Sequence, residues 1–287
     1  MTDQRRNEPG VPLSALPPQE KAIRAGSFGA VATHYERYRP GPPVAAVDWL
    51  LPVVPGGAGR RRLVDLGAGT GALTRLLVGR ADEVVAVEPD ERMRSVLADE
   101  NPGVRVVEGR GESMPLPDGS ADAVLASSSW HWMDLVPALL EVGRVLVPGG
   151  TLGVVWSGPD PEGAFMVEAR SLLEHRPAGD GEGSGRDELA GLITGDGDRS
   201  PPVLEIPPGV PFAAPERQEF TWEMAMTADE LIGLLGTFSW IITLPEDARG
   251  RVVAAARRLL AELLGVEGEV TVDVAFRADA WRSRRHH

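Results

Sequence analysis

The fold of this 287-residue chain is decided by the stretch Leu63-Val64-Asp65-Leu66-Gly67-Ala68-Gly69-Thr70-Gly71. An apolar run ends there in a glycine-rich turn, and residues 72–77 then place leucines at helical spacing. Glycines allow the backbone to turn sharply and a ligand to approach closely. A helix that begins at such a turn directs unpaired N–H groups toward anionic groups. The stretch therefore predicts a strand, a tight loop and a helix, with a nucleotide-like cofactor at the top of a parallel sheet.

Two features of the glycine turn bear on which cofactor it binds. Gly67, Gly69 and Ala72 fit the G-x-G-x-x-G/A pattern of dinucleotide-binding proteins, but Gly71 makes the loop G-x-G-x-G. Asp65 stands two residues before the first glycine. A carboxylate there would oppose the phosphates of a dinucleotide, and it suits an ammonium or sulfonium group. A structural role, in which Asp65 only orders the loop by hydrogen bonding, stays open.

Four segments in the same order resemble the motifs of class I S-adenosylmethionine (SAM)-dependent methyltransferases. They are residues 63–71, 84–90, 109–122 and 140–151. The N-terminal aromatic residues and the run 130–132 also resemble, more loosely, the trans-aconitate methyltransferase-like branch. The resemblance implies a Rossmann-like α/β fold. It has a seven-stranded, mostly parallel sheet with helices on both faces, an antiparallel last strand and a helical lid.

The apolar pattern supports the same organisation of the chain. Strands alternate with helical segments between residues 62 and 156, as in βαβ units of a parallel sheet. Gly149-Gly150 predicts a stop before a fifth strand near 151–156, and the last strand is expected at 270–276. The predicted segments are a mobile tail (1–19), a helical lid (20–59), the SAM-binding core (60–158), a helix with a mobile insertion (159–215, mobile over 176–202), and C-terminal strands and helices that complete the sheet (216–287).

Composition excludes several classes of function. A hydrophobic content of 43% supports a large core, and a net charge of −13 argues against nucleic-acid binding. The chain has no cysteine, which excludes disulfides and thiol catalysis. No apolar run reaches the ~20 residues of a membrane helix, and the N-terminus lacks the apolar core of a signal peptide. We therefore expect a cytoplasmic protein without a membrane or nucleic-acid partner, and the sequence does not predict its oligomeric state.

The resemblance implies a cofactor site at the carboxyl ends of the first strands. The carboxylate of Glu88 would accept both ribose hydroxyls, unless Glu88 is a surface acid that only begins the next helix. Met93 would cover the adenine or ribose, with core packing as the alternative. Arg110 stands where relatives often carry an acid, so the adenine contact falls to Gly111 and Glu112. The full predicted cofactor set is Tyr35, Arg39, Asp65, Gly67, Ala68, Gly69, Gly71, Glu88, Pro89, Met93, Gly111, Glu112 and Ser127.

The aromatic run after the fourth strand is expected to face the transferred methyl group. His131 could act as a general base, donate a hydrogen bond to a substrate carboxylate, or only pack and cap the next helix. Tryptophans on either side of it would exclude water and attract the sulfonium. Arg39 would pair with a carboxylate of SAM or of an acidic substrate, or else end a helix at the surface. The predicted acceptor-binding set is Phe28, His34, Trp130, Trp132 and Trp240.

The sequence thus predicts a methyltransferase that uses SAM, releases S-adenosylhomocysteine and needs no metal. Its acceptor would be a small molecule, such as a carboxylic acid or a secondary metabolite. Two alternatives stay open at this point: a SAM-binding regulator or cyclase of the same fold, and a nicotinamide-dependent oxidoreductase, against which Asp65 argues. The pattern does not name the acceptor or decide between O-, N- and C-methylation, because variable lid segments form the substrate pocket.

Overall fold

The computed structural model describes residues 17–51, 61–175, 189, 203–264 and 270–287. The predicted mobile insertion at 176–202 lies outside the described residues except for Leu189, and so does most of the predicted tail.

Within the described part the helices are α1 (Pro18–Ala25), α2 (Ala32–Tyr38), α3 (Val44–Leu50), α4 (Ala72–Leu77), α5 (Glu91–Glu100), α6 (Leu135–Val145), α7 (Ala164–His175), α8 (Ala228–Leu235), α9 (Ser239–Ile242) and α10 (Glu246–Leu264), with 3₁₀ turns at Phe28–Val31 and Trp130–Trp132. The strands are β1 (Arg62–Leu66), β2 (Glu83–Val87), β3 (Arg105–Val107), β4 (Ala121–Ser127), β5 (Leu146–Pro159), β6 (Glu216–Thr227) and β7 (Thr271–Arg284).

Seven strands form one mixed sheet in the order β3-β2-β1-β4-β5-β7-β6. The strands from β3 through β5 pair in parallel. β7 runs antiparallel to β5, because Gly150 bonds to Arg285 at one end while Asp160 bonds to Ala275 at the other. The predicted α/β fold with an antiparallel last strand is confirmed. The strand order reverses direction between β1 and β4, and ligands of such sheets bind outside the carboxyl ends of the strands at this point.

The central strands are buried on both faces. Residues 63–66 of β1 and 84–87 of β2 are all buried, which is typical of parallel strands covered by helices. The largest apolar cluster joins side chains of β1, β2, β4 and β5 to those of α6, and it includes Trp130. This packing holds the carboxyl ends of β1, β2 and β4 rigidly, and those ends carry the sequence motifs.

The chain forms two compact units. The core unit comprises 40–158, 201–220 and 277–287, and the second unit comprises 1–39, 159–200 and 221–276. The second unit has its own apolar clusters. In one of them Met226 packs with Phe276 and Leu234. Glu230 stands three residues after Thr227, a spacing that predicts a capping box from the sequence alone, and the structure confirms it: Thr227 Oγ1 accepts from the Glu230 N–H, and the Glu230 carboxylate accepts from the Thr227 N–H.

Two predicted boundaries in the last part of the sheet are wrong. Gly149-Gly150 does not precede the fifth strand; it lies inside β5, which already begins at Leu146. The last strand does not end at residue 276 but continues to Arg284. The cause is pairing between distant segments, because the Gly149 N–H donates to the Arg285 carbonyl and the Gly150 carbonyl accepts from the Arg285 N–H. Local sequence pattern carries no information on such a partner.

No helix in the described ranges has both the length and the apolar character needed to cross a membrane.

Candidate functional site

The glycine turn after β1 has space beside Gly69. Gly67, Gly69 and Gly71 have φ angles of 66°, 57° and 98°, which L side chains rarely adopt. A Cβ on Gly67 would lie 2.6 Å from Cβ of Ser129, and one on Gly71 would lie 2.5 Å from Nδ2 of Asn101. A Cβ on Gly69 would meet nothing within 4 Å. Two of the glycines are therefore required by packing, whereas Gly69 borders open space that a ligand can fill.

Glu88 follows β2 directly and is held by backbone groups of the loops beside it. Its Oε2 accepts from the Gly69 N–H at 2.9 Å, and its Oε1 accepts from the Asp90 N–H at 2.9 Å. Only 7% of the residue is exposed, and this burial raises the pKa of the Glu88 carboxyl, although the two N–H groups partly oppose the shift. Each oxygen keeps a second lone pair, so the carboxylate can also accept from two vicinal hydroxyls.

Asp65 lies at the carboxyl end of β1 and is buried. Its Oδ2 accepts from the Thr74 hydroxyl at 2.6 Å, which ties the strand to α4. Its Oδ1 is buried and has no hydrogen-bond partner within the described ranges. Burial raises the pKa of Asp65 to about 7, and the nearby Glu88 carboxylate contributes to this rise. The hydrogen bond from Thr74 fits a structural role for Asp65. The other carboxylate oxygen, Oδ1, can still accept a hydrogen bond from a cationic ligand group.

The raised pKa of Asp65 gives an expected dependence of stability on pH. The folded-state pKa of about 7 lies above the ordinary value of 3.8. The stability that neutral Asp65 contributes is therefore fully present below pH ~4 and is lost as the pH rises toward 7, by up to ~1.4 kcal/mol per pH unit. The asparagine of Asp65→Asn does not ionise. The free energy of unfolding of this variant, relative to the wild-type protein, should therefore rise from pH ~4 to pH ~7 and stay constant above pH ~7. Urea unfolding of both proteins from pH 4 to 8 measures this difference in the free energy of unfolding. A difference that does not change with pH would contradict the raised pKa of Asp65.

The third motif supports the turn that follows β4. Glu112 Oε1 accepts from the Asp134 N–H at 2.6 Å, immediately before α6 begins. A Cβ on Gly111 would collide with the side chain of Met133, so any larger residue here would displace Met133. Gly111 and Glu112 thus have a clear structural role, and their predicted contact with adenine stays a prediction.

The fourth motif holds the third motif in place. Glu141 Oε1 accepts from the Met114 N–H at 2.6 Å. Arg144 donates to the Leu116 carbonyl at 2.8 Å and pairs with Asp118 and Glu141. The hydrogen bond from Arg144 lowers the pKa of the Glu141 carboxyl. The resemblance did not predict that the fourth motif supports the third. An acid and an arginine three residues apart on a helix do indicate an ion pair.

The aromatic turn after β4 lies against the glycine turn. Ser129 Oγ donates to the Leu66 carbonyl at 2.8 Å, which fixes the beginning of the turn beside the end of β1. Ser128 has a φ of 51°, and it is the one non-glycine residue with positive φ in the described ranges. Such strain concentrates at functional sites. Trp130 is 5% exposed and anchors the turn in the core, while His131 and Trp132 are half-buried.

A residue that the sequence interpretation missed holds the imidazole of this turn. The Trp156 indole N–H donates to Nδ1 of His131 at 2.8 Å. The ring of His131 also lies 4.7 Å from the Trp132 ring, centroid to centroid. Trp156 follows Val155, which is opposite Ser127 at the end of β4. Its place at the end of the fifth strand expected from the sequence, near 151–156, was the signal that could have found it.

The other predicted cofactor residues of the core unit lie around the same strand ends. Ala68 and Met93 are 8% and 4% exposed, and Met93 is on α5, which follows β2. The Pro89 carbonyl accepts from Arg94 at 2.7 Å. Ser127 is half-buried at the end of β4. The structure brings these residues to one edge of the sheet; their contacts with a cofactor stay a prediction.

Five predicted residues belong to the second unit. Phe28 and Tyr35 have their ring centroids 5.6 Å apart at an angle of 81°. A ring nitrogen of His34, Nε2, is 2.9 Å from the Gly233 carbonyl and donates to it. The Arg39 guanidinium lies over the ring of Phe238 at 4.8 Å, and Trp240 packs at the edge of an apolar cluster. Their predicted roles in binding SAM or the acceptor stay predictions.

The described ranges contain no group of three or more histidine, cysteine or acidic side chains that could hold a metal ion.

Comparisons with known proteins give a consistent result. A family model described as "Methyltransferase domain" matches residues 64–154. An uncharacterized methyltransferase of Mycobacterium tuberculosis (strain H37Rv) is 39% identical over 82% of this chain and 86% of its own length. A malonyl-[acyl-carrier protein] O-methyltransferase of Methylococcus capsulatus is 34% identical over 46% of this chain and 50% of its own. A solved structure of a proposed type II methyltransferase from Anaeromyxobacter dehalogenans is 25% identical with a TM-score of 0.55, covering 87% of this chain and all of that one.

Proposed function

This chain belongs to the class I SAM-dependent methyltransferases, and from that premise we propose that it methylates a carboxylate oxygen of a small-molecule acid. The cytoplasmic location predicted from the sequence stays a prediction.

One observation carries the cofactor part of the proposal: two buried carboxylates stand at the ends of neighbouring strands, and one of them, Glu88, bonds the backbone of Gly69, which borders open space. Asp65 is at the end of β1 and Glu88 follows the end of β2. Both have raised pKa values because they are buried, and such perturbed acids cluster at functional sites. Two acids at this position disfavour the phosphates of a dinucleotide and favour a ligand with ammonium and sulfonium groups. The residues present therefore fit SAM.

The proposed roles follow from the chemistry of each group. Glu88 would accept from the two ribose hydroxyls of SAM, and the buried Oδ1 of Asp65 would face its positive charge. Gly69 provides the space without a side chain, and Trp132 shields the reacting atoms from water. SAM supplies an already activated methyl group. Alignment of the reacting atoms can then provide ~7–11 kcal/mol of the barrier.

A carboxylic acid acceptor suits a reaction that needs no base. A carboxylate oxygen attacks the methyl carbon as the carbon–sulfur bond breaks, the electron pair stays on sulfur, and a neutral ester forms with no proton transferred. The Methylococcus capsulatus relative is named for O-methylation of a malonyl group. That name supports an acidic acceptor for this chain, although the match covers only 46% of it.

The test is a screen of acceptors under one set of conditions. Purified protein and SAM are incubated with matched sets of carboxylic acids, alcohols and amines, and products are detected by mass spectrometry as the gain of one CH₂. We expect base-labile methyl esters from one or more acids, together with stoichiometric S-adenosylhomocysteine. Methylation confined to alcohols or amines would contradict the acceptor class and leave the cofactor assignment intact.

A further inference from the structure

The contact between Trp156 and His131 fixes where the imidazole carries its proton. The indole N–H donates to Nδ1 at 2.8 Å. An indole nitrogen donates a hydrogen bond and does not accept one. Nδ1 must therefore present a lone pair while this bond is formed. A neutral imidazole has one N–H, so the proton of His131 lies on Nε2.

Both rings are held by rigid elements of the core unit. Trp156 is part of β5, and the Ser128 N–H donates to the neighbouring Val155 carbonyl at 2.8 Å. His131 lies in the short turn whose first residue, Trp130, is buried in the largest apolar cluster. His131 therefore lies next to a buried anchor, and Trp156 is on a strand of the sheet. The tautomer is therefore a built-in property of the site.

We propose that Trp156 is a positioning residue that holds His131 as an Nε2–H donor, and that His131 binds an oxygen lone pair of the acceptor and does not remove a proton from it. Base action at Nε2 would require the neutral ring to carry its proton on Nδ1, where it would face the indole N–H. Trp156 thus opposes that tautomer, and it opposes the doubly protonated ring for the same reason.

The donor assignment deepens the proposed function, on which it rests. A carboxylic acid is already ionised at neutral pH, because the ordinary pKa of such groups is ~4. It needs a donor to orient one oxygen and no base to create the nucleophile. Alcohols and most amines are protonated at neutral pH and would need the base that Trp156 prevents. Of the three roles that the sequence left open for His131, this geometry selects the hydrogen-bond donor to a carboxylate.

The tautomer can be measured without any assay of activity. We suggest long-range ¹⁵N–¹H spectra of the imidazoles in ¹⁵N-labelled protein with S-adenosylhomocysteine at neutral pH, with the His131 signals assigned from the His131→Gln variant. We expect a protonated Nε2 and an unprotonated Nδ1. Trp156→Phe keeps an aromatic ring but loses the donor, so it should shift His131 toward a mixture of tautomers. A proton on Nδ1 in the wild-type protein, or no change in Trp156→Phe, overturns the proposal.

A matched pair of variants separates a donor from a base. The side-chain amide of His131→Gln can donate from about the position of Nε2 but cannot take up a proton, whereas His131→Ala does neither. For a carboxylic acid substrate we expect His131→Ala to raise KM by ~10- to 100-fold, the factor expected for a hydrogen bond to a charged group, and His131→Gln to recover most of it. A base would instead lose ~10²- to 10⁴-fold in kcat in both variants, and that result overturns the proposal.

The role of Trp156 has its own control. Trp156→Phe should raise KM several-fold with little change in kcat, because it weakens the orientation of His131. Trp49→Phe is the matched substitution in the same unit; its indole lies under Arg282 at 4.2 Å, and we expect unchanged kinetics. Equal kinetics for Trp156→Phe and the wild-type protein contradict the positioning role. If no carboxylic acid is methylated at all, the proposed function fails, while the spectra still decide the tautomer.

Discussion

Gly69→Ala is expected to weaken the binding of S-adenosylhomocysteine by ~10- to 100-fold while leaving the fold intact. The added Cβ would meet no protein atom within 4 Å, so the methyl group enters the space assigned to the cofactor. Filling a close-fitting site with a methyl group costs about 1–3 kcal/mol and more when neighbours cannot move. The φ of 57° adds a backbone strain of ~1 kcal/mol to the folded state. Isothermal titration calorimetry measures the affinity, and thermal unfolding measures the strain.

Gly79→Ala and Gly67→Ala are the controls for this result. Gly79 also has a positive φ, 82°, and a Cβ added to it would meet no atom within 4 Å, but it lies in the turn after α4. Gly79→Ala should show the same strain and unchanged affinity. Gly67→Ala should lower stability further, because its Cβ would lie 2.6 Å from Ser129. If Gly69→Ala and Gly79→Ala bind S-adenosylhomocysteine equally well, the cofactor does not occupy the space beside Gly69.

Glu88→Ala is expected to reduce the affinity for S-adenosylhomocysteine by ~100-fold or more. The substitution removes the acceptor of two ribose hydroxyls, and hydrogen bonds to a charged group contribute about 1.5–3 kcal/mol each. It also releases the N–H groups of Gly69 and Asp90 that the carboxylate now holds. Glu88→Gln keeps one acceptor oxygen and should lose less. Calorimetry on the three proteins gives the order of affinities.

The control for Glu88 is an acid that lies three residues further along the chain. Glu91 is exposed in the first turn of α5, and Glu91→Ala removes the same charge from the surface. We expect wild-type affinity for this variant. Equal losses in Glu88→Ala and Glu91→Ala would mean that long-range charge, and not a bond to the ribose, explains the effect.

The sequence predicted those parts of the fold that depend on local pattern. The glycine turn, the order of strands and helices through β5 and the capping box at Thr227 all follow from spacing and residue type. The extent of β5 and β7 did not, because these strands are lengthened by pairing with each other across more than a hundred residues. Gly149 and Gly150 locally predict an interruption before the fifth strand. Their hydrogen bonds with Arg285, just beyond β7, keep them within β5 instead.

In the candidate site, too, only the features that depend on local sequence could be predicted. Motif residues such as Glu88 and His131 could be placed at strand ends from the sequence. The hydrogen bonds that join these segments could not be predicted, since Trp156 and Asp134 are distant in the chain from the residues they bond. The role proposed for His131 rests on its Nδ1 partner, and only three-dimensional geometry supplies that partner.

We expect the open space beside Gly69, at the ends of β1 and β2, to bind SAM and not a dinucleotide. The most direct test is a calorimetric titration of the purified protein with S-adenosylhomocysteine, repeated with NAD and NADP at the same concentrations. We predict saturable binding of S-adenosylhomocysteine at one site per chain, weakened in Gly69→Ala, and no heat with either dinucleotide. Saturable binding of NAD or NADP without binding of S-adenosylhomocysteine would contradict it.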